Sequence, residues 1–307
     1  MKLIKHIEEY LDLKKEGFKL EKENLSGMQG QTTQWEKKHS SGHKTTIFNK
    51  SALSDVTYPF EINTNLSILF SEIASRKIIT MINTAWRAFG YSTDIYKIPA
   101  MHGYSIDAFE NKGRFYINTN FQSSSFNNVV EGELSPKQAH LVHMYRSNIA
   151  IFNILLGNKD THDGNFVVNS KKKRLYSVDF GLAFVTKYKS KDLDDLLRRV
   201  ESRHSEILGT KKTEQYKKLY AKQAAFLELF IEHNRDAMLK AIDDTAKEIS
   251  RSAARAFIKH NPDEKLEDIV VGILGMFQSS VEQMKKTLLN NINVVKIYAK
   301  KLKGIVK

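Results

Sequence analysis

The 307-residue chain contains no cysteine. That excludes a disulfide framework and any thiolate metal site, and it is compatible with a reducing compartment. Proline and glycine are scarce, at four and fifteen residues, which argues against a linker-rich or low-complexity protein. Long apolar runs are missing too: the longest, Val270 to Phe277, falls far short of the roughly 20 residues a membrane-spanning helix needs. The opening stretch, MKLIKHIEEYLDLKKEG, has no apolar h-region. A Sec signal peptide is therefore not expected, and a cytoplasmic protein is. Acidic residues are also in deficit, 35 against 48 basic ones, for a net charge of +13. Such a surface attracts polyanions, whether nucleic acid, anionic membrane or polyphosphate; a lysine-rich solvated surface accounts for the excess equally well.

What the chain does have is concentrated between Leu155 and Phe184: LLGNKDTHDGNFVVNSKKKRLYSVDFGLAF. Asp160, His162 and Asn165 share a short polar turn. A hairpin pattern follows, two apolar stretches around a basic turn, and then Asp179-Phe180-Gly181. Phosphoryl transfer asks for a carboxylate at the incoming hydroxyl, oxygen ligands for magnesium and cations on the phosphates. Asp160, Asn165 and Asp179 are the residue types for the first two. Each alone also suits a turn or a helix cap, but that reading does not explain their joint spacing.

Asp160-Thr161-His162-Asp163-Gly164-Asn165 followed by Val178-Asp179-Phe180-Gly181 resembles the protein-kinase-like superfamily. The likeness is to the atypical branch of HipA-like and phosphoinositide 3-/4-kinases, which places His after the catalytic Asp in D-x-H-x-x-N. Ordinary protein kinases write H-R before that Asp; here Asn158-Lys159 stand there. The resemblance implies an α+β, bilobal kinase-like fold. Residues 1–121 would form a small antiparallel-sheet N-lobe with one key helix, and residues 122–307 a large, mostly helical C-lobe. It implies ATP as substrate with Mg²⁺, or Mn²⁺ in its place. Asp160 would be the catalytic base and His162 would steady the loop. Asn165 and Asp179 would hold the metal, since hard cations prefer such oxygens and avoid imidazole.

Upstream residues take their places in the same scheme. Residues 1–16 repeat apolar residues at helical spacing, with Gly17 as the stop. Phe18–Glu21, Gln31–Glu36 and Lys44–Asn49 alternate as strands. The Gly27 to Gly30 turn between the first two is the candidate phosphate-covering loop. It lacks the family's G-x-G-x-x-G, and an ordinary hairpin turn fits it as well. Lys50 ends the third strand where the family's phosphate-binding lysine stands, with Lys44 as its competitor. Ser67 to Asn83 reads as a helix, and Glu72 on it would pair with Lys50. Tyr104–Phe109 and Arg114–Asn120 read as a hairpin. Ile117 to Phe121 would then be the hinge whose backbone meets adenine, with Ile117 and Asn118 the nucleotide-contacting positions. Pro136 opens a helix with Ala139, Val142, Tyr145, Ile149, Phe152 and Leu156 on its buried stripe. That helix delivers the catalytic loop, 157–165.

Beyond Gly181 no A-P-E follows, so peptide recognition of the usual kind is not legible. The rest reads as several helices: one from Leu193, one marked by Leu219, Phe226, Leu229 and Phe230, one stopped near Pro262, and a most apolar one, Ile269 to Val281. Lys171, Arg174, Lys187, Arg198, Arg199, Arg203 and Lys211 form a basic set that would hold inositol hexakisphosphate or an anionic lipid head group if they converged; dispersed surface lysines are the plainer reading. The basic tail from Val294 to Lys303 would pack on the helical lobe or lie on an anionic membrane.

The expected activity is therefore transfer of the γ-phosphate of ATP to a hydroxyl. The first expectation for the acceptor is a protein Ser/Thr, and the second a phosphoinositide. A pseudokinase scaffold and an AMP-transferring kinase fold are the competing classes, and nucleic acid is not an expected partner. The resemblance reaches bacterial effector kinases of the Legionella type, which implies delivery into a host cell by a route that needs no signal peptide.

Overall fold

The computed structural model describes residues 13–25, 31–42, 44–54, 64–98, 101–108, 115–123, 126–128, 136–160, 165–169, 174–192, 195, 198, 210–259 and 261–305. It is a mixed α/β chain: antiparallel strands fall between residues 19 and 177, and the two longest helices follow residue 209.

Strands β1 (Lys19–Leu25), β2 (Gln31–Lys38), β3 (Lys44–Ser54), β4 (Met101–Ala108) and β5 (Phe115–Ser123) form a five-stranded sheet in the order β1-β2-β3-β5-β4. All its pairings are antiparallel. The three strands expected before Asn49 are all present, each longer than the alternating pattern showed. Ahead of β1, Phe18 N–H bonds Leu13 O at 2.8 Å and Gly17 N–H bonds Lys14 O at 3.0 Å. This is the Schellman pattern that stops a helix, and it bears out Gly17 as a stop signal; residues 1–12 lie outside the described residues. Leu13, Phe18 and Ile47 close a small apolar cluster beneath Trp35.

Helix α1 (Thr64–Ala88) starts three residues before the expected Ser67 cap and is buried over most of its circumference. Leu69, Phe70, Ile73, Ala74, Ile78, Ile79, Ile82 and Trp86 all belong to the main core. A helix that is apolar nearly all round must be covered on several sides. Phe70 meets Phe277 at 5.7 Å between ring centroids, and Lys77 bonds Glu248 at 2.8 Å. Helix α2 (Pro136–Leu156) starts at the expected proline. Val142, Tyr145, Ile149, Phe152 and Leu156 are buried as the stripe required. A second, three-stranded sheet joins β6 (Phe126–Asn128), β7 (Phe166–Asn169) and β8 (Arg174–Ser177) in that order.

Among the described residues, two very long helices follow residue 209 where three shorter ones were expected. Helix α3 spans Thr210–Ile258, 49 residues, and α4 spans Leu266–Ile305, 40 residues. At 1.5 Å rise per residue α3 is about 70 Å long. The reason for its continuity is in the sequence: no glycine or proline interrupts residues 210–258, so nothing stops the helix before Asn261 and Pro262. Its buried stripe runs through Phe226, Leu227, Phe230 and Ile231 and leaves Leu229 exposed. The short connection turns α4 back along α3, where Lys285 meets Asp243 at 2.5 Å. Val294, Val295, Tyr298 and Ala299 are buried, so that part of the basic tail packs into the helical body. Among the described residues no helix is long and apolar enough to cross a membrane.

Candidate functional site

Helix α2 ends inside the protein, and its stop fixes everything that follows. Gly157 N–H bonds Ile154 O at 3.0 Å and Asn158 N–H bonds Asn153 O at 2.9 Å, a second Schellman closure. Gly157 sits at φ +65°, and a Cβ there would lie 2.9 Å from Thr186 O and 3.2 Å from Phe184 Cα. Backbone conformation and crowding both demand glycine at this point.

The turn beyond it is held by side-chain amides. Buried Asn158 accepts the Asp160 N–H on its Oδ1 at 3.1 Å, an Asx turn. Buried Asn165 donates from Nδ2 to Asp160 O at 3.0 Å. That bond puts the Asn165 carbonyl oxygen on the amide's other side. Asp160 itself is part-exposed. The β7–β8 hairpin then closes the distance between the motifs. Phe166 pairs with Ser177, and one step further Val178 N–H bonds Asn165 O at 2.9 Å. Cross-strand neighbours sit about 5 Å apart, so Asn165 and the residue before Asp179 are adjacent.

Asp179 adopts φ +66°, uncommon for a residue with a Cβ, and its Oδ1 accepts the Gly181 N–H at 3.2 Å. The tripeptide is gripped by one stripe of α1, Ile68, Glu72 and Arg76, spaced four apart on a single helix face. Glu72 accepts the Phe180 N–H on Oε2 and Arg76 Nε on Oε1, the latter at 2.7 Å. Arg76 also lies over the Phe180 ring at 5.7 Å, and Tyr96 borders that ring at 5.6 Å. Phe180, Glu72 and Arg76 are all buried. Gly181 meets Ile68 so closely that a Cβ would fall 2.5 Å from Ile68 Cγ2. Gly181→Ala should therefore destabilise the protein by about 1–3 kcal/mol through overpacking. Ile68→Ala in the same chain should recover part of that loss in a denaturation-based double-mutant cycle.

A buried polar frame carries α1 and α2 together. Asn83 exchanges two hydrogen bonds with the Tyr96 backbone, at 2.8 and 3.1 Å. The Tyr96 hydroxyl donates to Asn153 on α2. The Tyr145 hydroxyl and the backbone of Lys97 bond at 2.9 Å, and Lys97 O accepts Ser177 N–H from β8 at 2.9 Å. Burial raises the Tyr96 and Tyr145 hydroxyls well above the ordinary phenol range, so both stay protonated donors.

Several expected site residues fall elsewhere. Ile117 and Asn118 are not at a hinge. They lie inside β5, where Ile117 faces Ala52 and Ile106 and Asn118 faces Ser51 and Ser105. A strand paired on both edges has its N–H and C=O groups engaged by the ladders. Those groups are not free for adenine, and the sheet ends only after Ser123. Glu72 was expected to orient Lys50, whose side chain lies outside the described part of the structure; the partners described for Glu72 are Arg76 and the Phe180 backbone. Lys50 lies on β3 opposite Thr32 and Thr119, with only its backbone described. Its competitor Lys44 is exposed and bound to Glu36 at 2.9 Å, which holds the Glu36 carboxyl below the usual range. Gly27, Gly30, His162, Lys171, Arg199 and Arg203 lie outside the described residues. Of the rest of the basic set, Lys187 is exposed and Arg198 is paired with Asp195 at 2.6 Å. Arg174 pairs with Asn169 in the β7–β8 ladder, and Lys211 lies in the first turn of α3.

Sequence reasoning missed Arg76, although Glu72-x-x-x-Arg76 is a legible helical ion-pair spacing. It also missed Asn158, Asn290 and Asn291, whose type alone carried no signal. Among the described residues no group of three or more His, Cys, Asp or Glu could hold a metal ion. A nucleotide-bound Mg²⁺ does not need one, because phosphates and waters complete its shell.

Comparison with known proteins adds a family. One solved structure with detectable likeness is the MAP kinase LmaMPK10 from Leishmania major, 11% identical, covering 92% of this chain and 96% of that one, with a TM-score of 0.33. A comparison with curated protein sequences finds no match. The family model for the LepB N-terminal domain matches residues 111–306. That span takes in β5, the turn from Gly157 to Asn165, Asp179-Phe180-Gly181 and both long helices, and by it the chain belongs to the LepB N-terminal domain family.

Proposed function

We propose that this protein is an ATP- and Mg²⁺-dependent kinase that transfers the γ-phosphate to a hydroxyl. The observation that carries the reading is the convergence just described. One hairpin sets Asn165 beside the residue preceding Asp179, the turn bearing Asp160 is bonded to Asn165, and a buried stripe of α1 holds Phe180. The donor set fits Mg²⁺: an amide carbonyl from Asn165 and a carboxylate from Asp179, both hard oxygens. Bound there, the ion would neutralise phosphate charge.

In the transfer, a bond forms between the acceptor oxygen and the γ-phosphorus as the bond to the ADP oxygen breaks. The hydroxyl proton passes to the Asp160 carboxylate. Asn158 and Asn165 keep Asp160 in place, and Lys50 is the candidate for the phosphate cation.

The acceptor expected first is a protein Ser/Thr. A specific observation favours the second reading, a phosphoinositide head group. Residues 183–188 are tied down through their own N–H groups: Ala183, Phe184 and Thr186 donate to the backbone oxygens of Phe180, Leu156 and Gly157, and Tyr188 donates to the side-chain Oδ1 of Asn291. That leaves the segment little length to offer an extended peptide, whereas the +13 chain suits an anionic acceptor. Inositol hexakisphosphate or an anionic membrane would act as regulator on the same charge argument.

Incubation with ATP labelled at the γ or α position, with Mg²⁺, a protein panel and phosphoinositide vesicles, tests this. Transfer of γ-label supports the kinase. Transfer of α-label would replace it with adenylylation, and no transfer with a nucleotide-binding scaffold.

A further inference from the structure

We infer that Asn290 and Asn291 on α4 are positioning residues for the catalytic turn, which makes the C-terminal helix part of the transfer machinery. The inference rests on the kinase reading. Its structural half stands on bonds between α4 and the segment that follows Asp179-Phe180-Gly181.

Asparagine is a poor residue for a helix interior, and burying its amide is costly unless every polar atom is bonded. Asn291 is nevertheless completely buried in the middle of α4. Its Nδ2 donates to Thr186 O at 2.9 Å, and its Oδ1 accepts Tyr188 N–H at 2.9 Å. Asn290 adds Nδ2 to Tyr188 O at 2.9 Å and bonds Asn291 Oδ1 at 3.1 Å. Tyr188 thus has its backbone N–H and C=O both taken by helix side chains, as a neighbouring strand would take them.

From there the contacts run to the proposed catalytic carboxylate without a gap. Asn291 Nδ2 would lie 3.0 Å from a Cβ at Gly157, so the amide is seated against the first residue of the turn. Thr186 N–H bonds Gly157 O at 3.1 Å. The Tyr188 hydroxyl donates to Asn158 O at 3.3 Å, and Asn158 Oδ1 holds the Asp160 N–H. Burial pushes that hydroxyl up to about 12, so it remains a donor at neutral pH. Asp160 is therefore positioned from one side by Asn165 and from the other by a path that begins on α4. A shift of α4 against α2 moves Asn158, and Asp160 with it.

The test uses the full chain with Asn290→Ala, Asn291→Ala and, as a comparator, Asp243→Asn, which loosens the α3–α4 pairing at Lys285 without touching the clamp. Three quantities are read: melting temperature, kcat against KM for ATP in γ-phosphate transfer, and amide exchange at Thr186 and Tyr188. Misplacing a reacting group by about 1 Å can cost about a hundredfold. The expected losses in kcat are about a hundredfold for Asn291→Ala and about tenfold for Asn290→Ala, with KM for ATP within about twofold. Exchange at Tyr188 and Thr186 should quicken in both. Asp243→Asn should change the melting temperature alone. If Asn291→Ala fails to fold, Asn290→Ala, which loses only its own contacts, carries the decision. Faster exchange with unchanged kcat overturns the positioning role and leaves the kinase reading intact. Unchanged exchange overturns the clamp itself. If the wild-type chain transfers no γ-label, the proposed function fails, and the positioning role with it.

Discussion

Glu72→Ala is expected to cost about 3–5 kcal/mol of folding stability in chemical denaturation, the range for removing one partner of a buried ion pair. The size follows from where Glu72 sits. Its side chain is 8% exposed and that of Arg76 2%, so neither charge is shared with water. The mutation removes the carboxylate that balances the guanidinium and leaves the Phe180 N–H without its acceptor in a dry site. Glu72→Gln separates the two losses. A neutral amide oxygen can still accept from Phe180, but the charge is gone, so its cost should fall between wild type and Glu72→Ala. A surface pair such as Arg198 with Asp195 offers the contrast: Asp195→Ala should shift stability by no more than about 1 kcal/mol. A Glu72→Ala loss as small as that would mean Glu72 is not the buried partner of Arg76 and Phe180.

The same residue shows what the sequence could and could not convey. The strands β1 to β3, the stop at Gly17, α1, the start of α2 at Pro136 and the β7–β8 hairpin were legible because each rests on short-range chemistry: alternation, a positive-φ glycine, a proline at the first helical turn. Glu72 was legible as a buried helix glutamate, but its partners were not. Which donor reaches a carboxylate depends on how α1 lies against the Asp179 turn, a tertiary matter that helix periodicity does not encode. Residues 117–121 were misread for a related reason. A central strand and the segment just past it have the same alternation, and only the pairing on both sides of β5 shows that the sheet continues to Ser123. The length of α3 was lost by weighing apolar stripes above the missing stop signals. Asn290 and Asn291 were invisible, since two asparagines in a polar-looking stretch announce nothing until the backbone they hold is in place.

Asp179→Ala and Asp160→Ala should each abolish γ-phosphate transfer, with kcat falling by about 10³-fold or more, beyond the 10²-fold to 10³-fold typical of losing one preorganised electrostatic group. The two variants fail differently, which makes the pair informative. Asp179 supplies the proposed anionic metal ligand, so Asp179→Ala should weaken nucleotide binding measured with Mg²⁺ present and change it little with the metal chelated. Asp160 is assigned to the acceptor hydroxyl, so Asp160→Ala should bind Mg²⁺ and ATP as the wild type does and lose only the chemical step. The Asp179 carboxylate also caps the Gly181 N–H at 3.2 Å and its backbone is held at φ +66°. Alanine at 179 should therefore cost about 1–2 kcal/mol of stability as well, from a lost cap and an unfavourable φ. Transfer retained by both variants at the wild-type rate would remove these carboxylates from the reaction, and the convergence of turn, hairpin and α1 stripe would then be a folding device only.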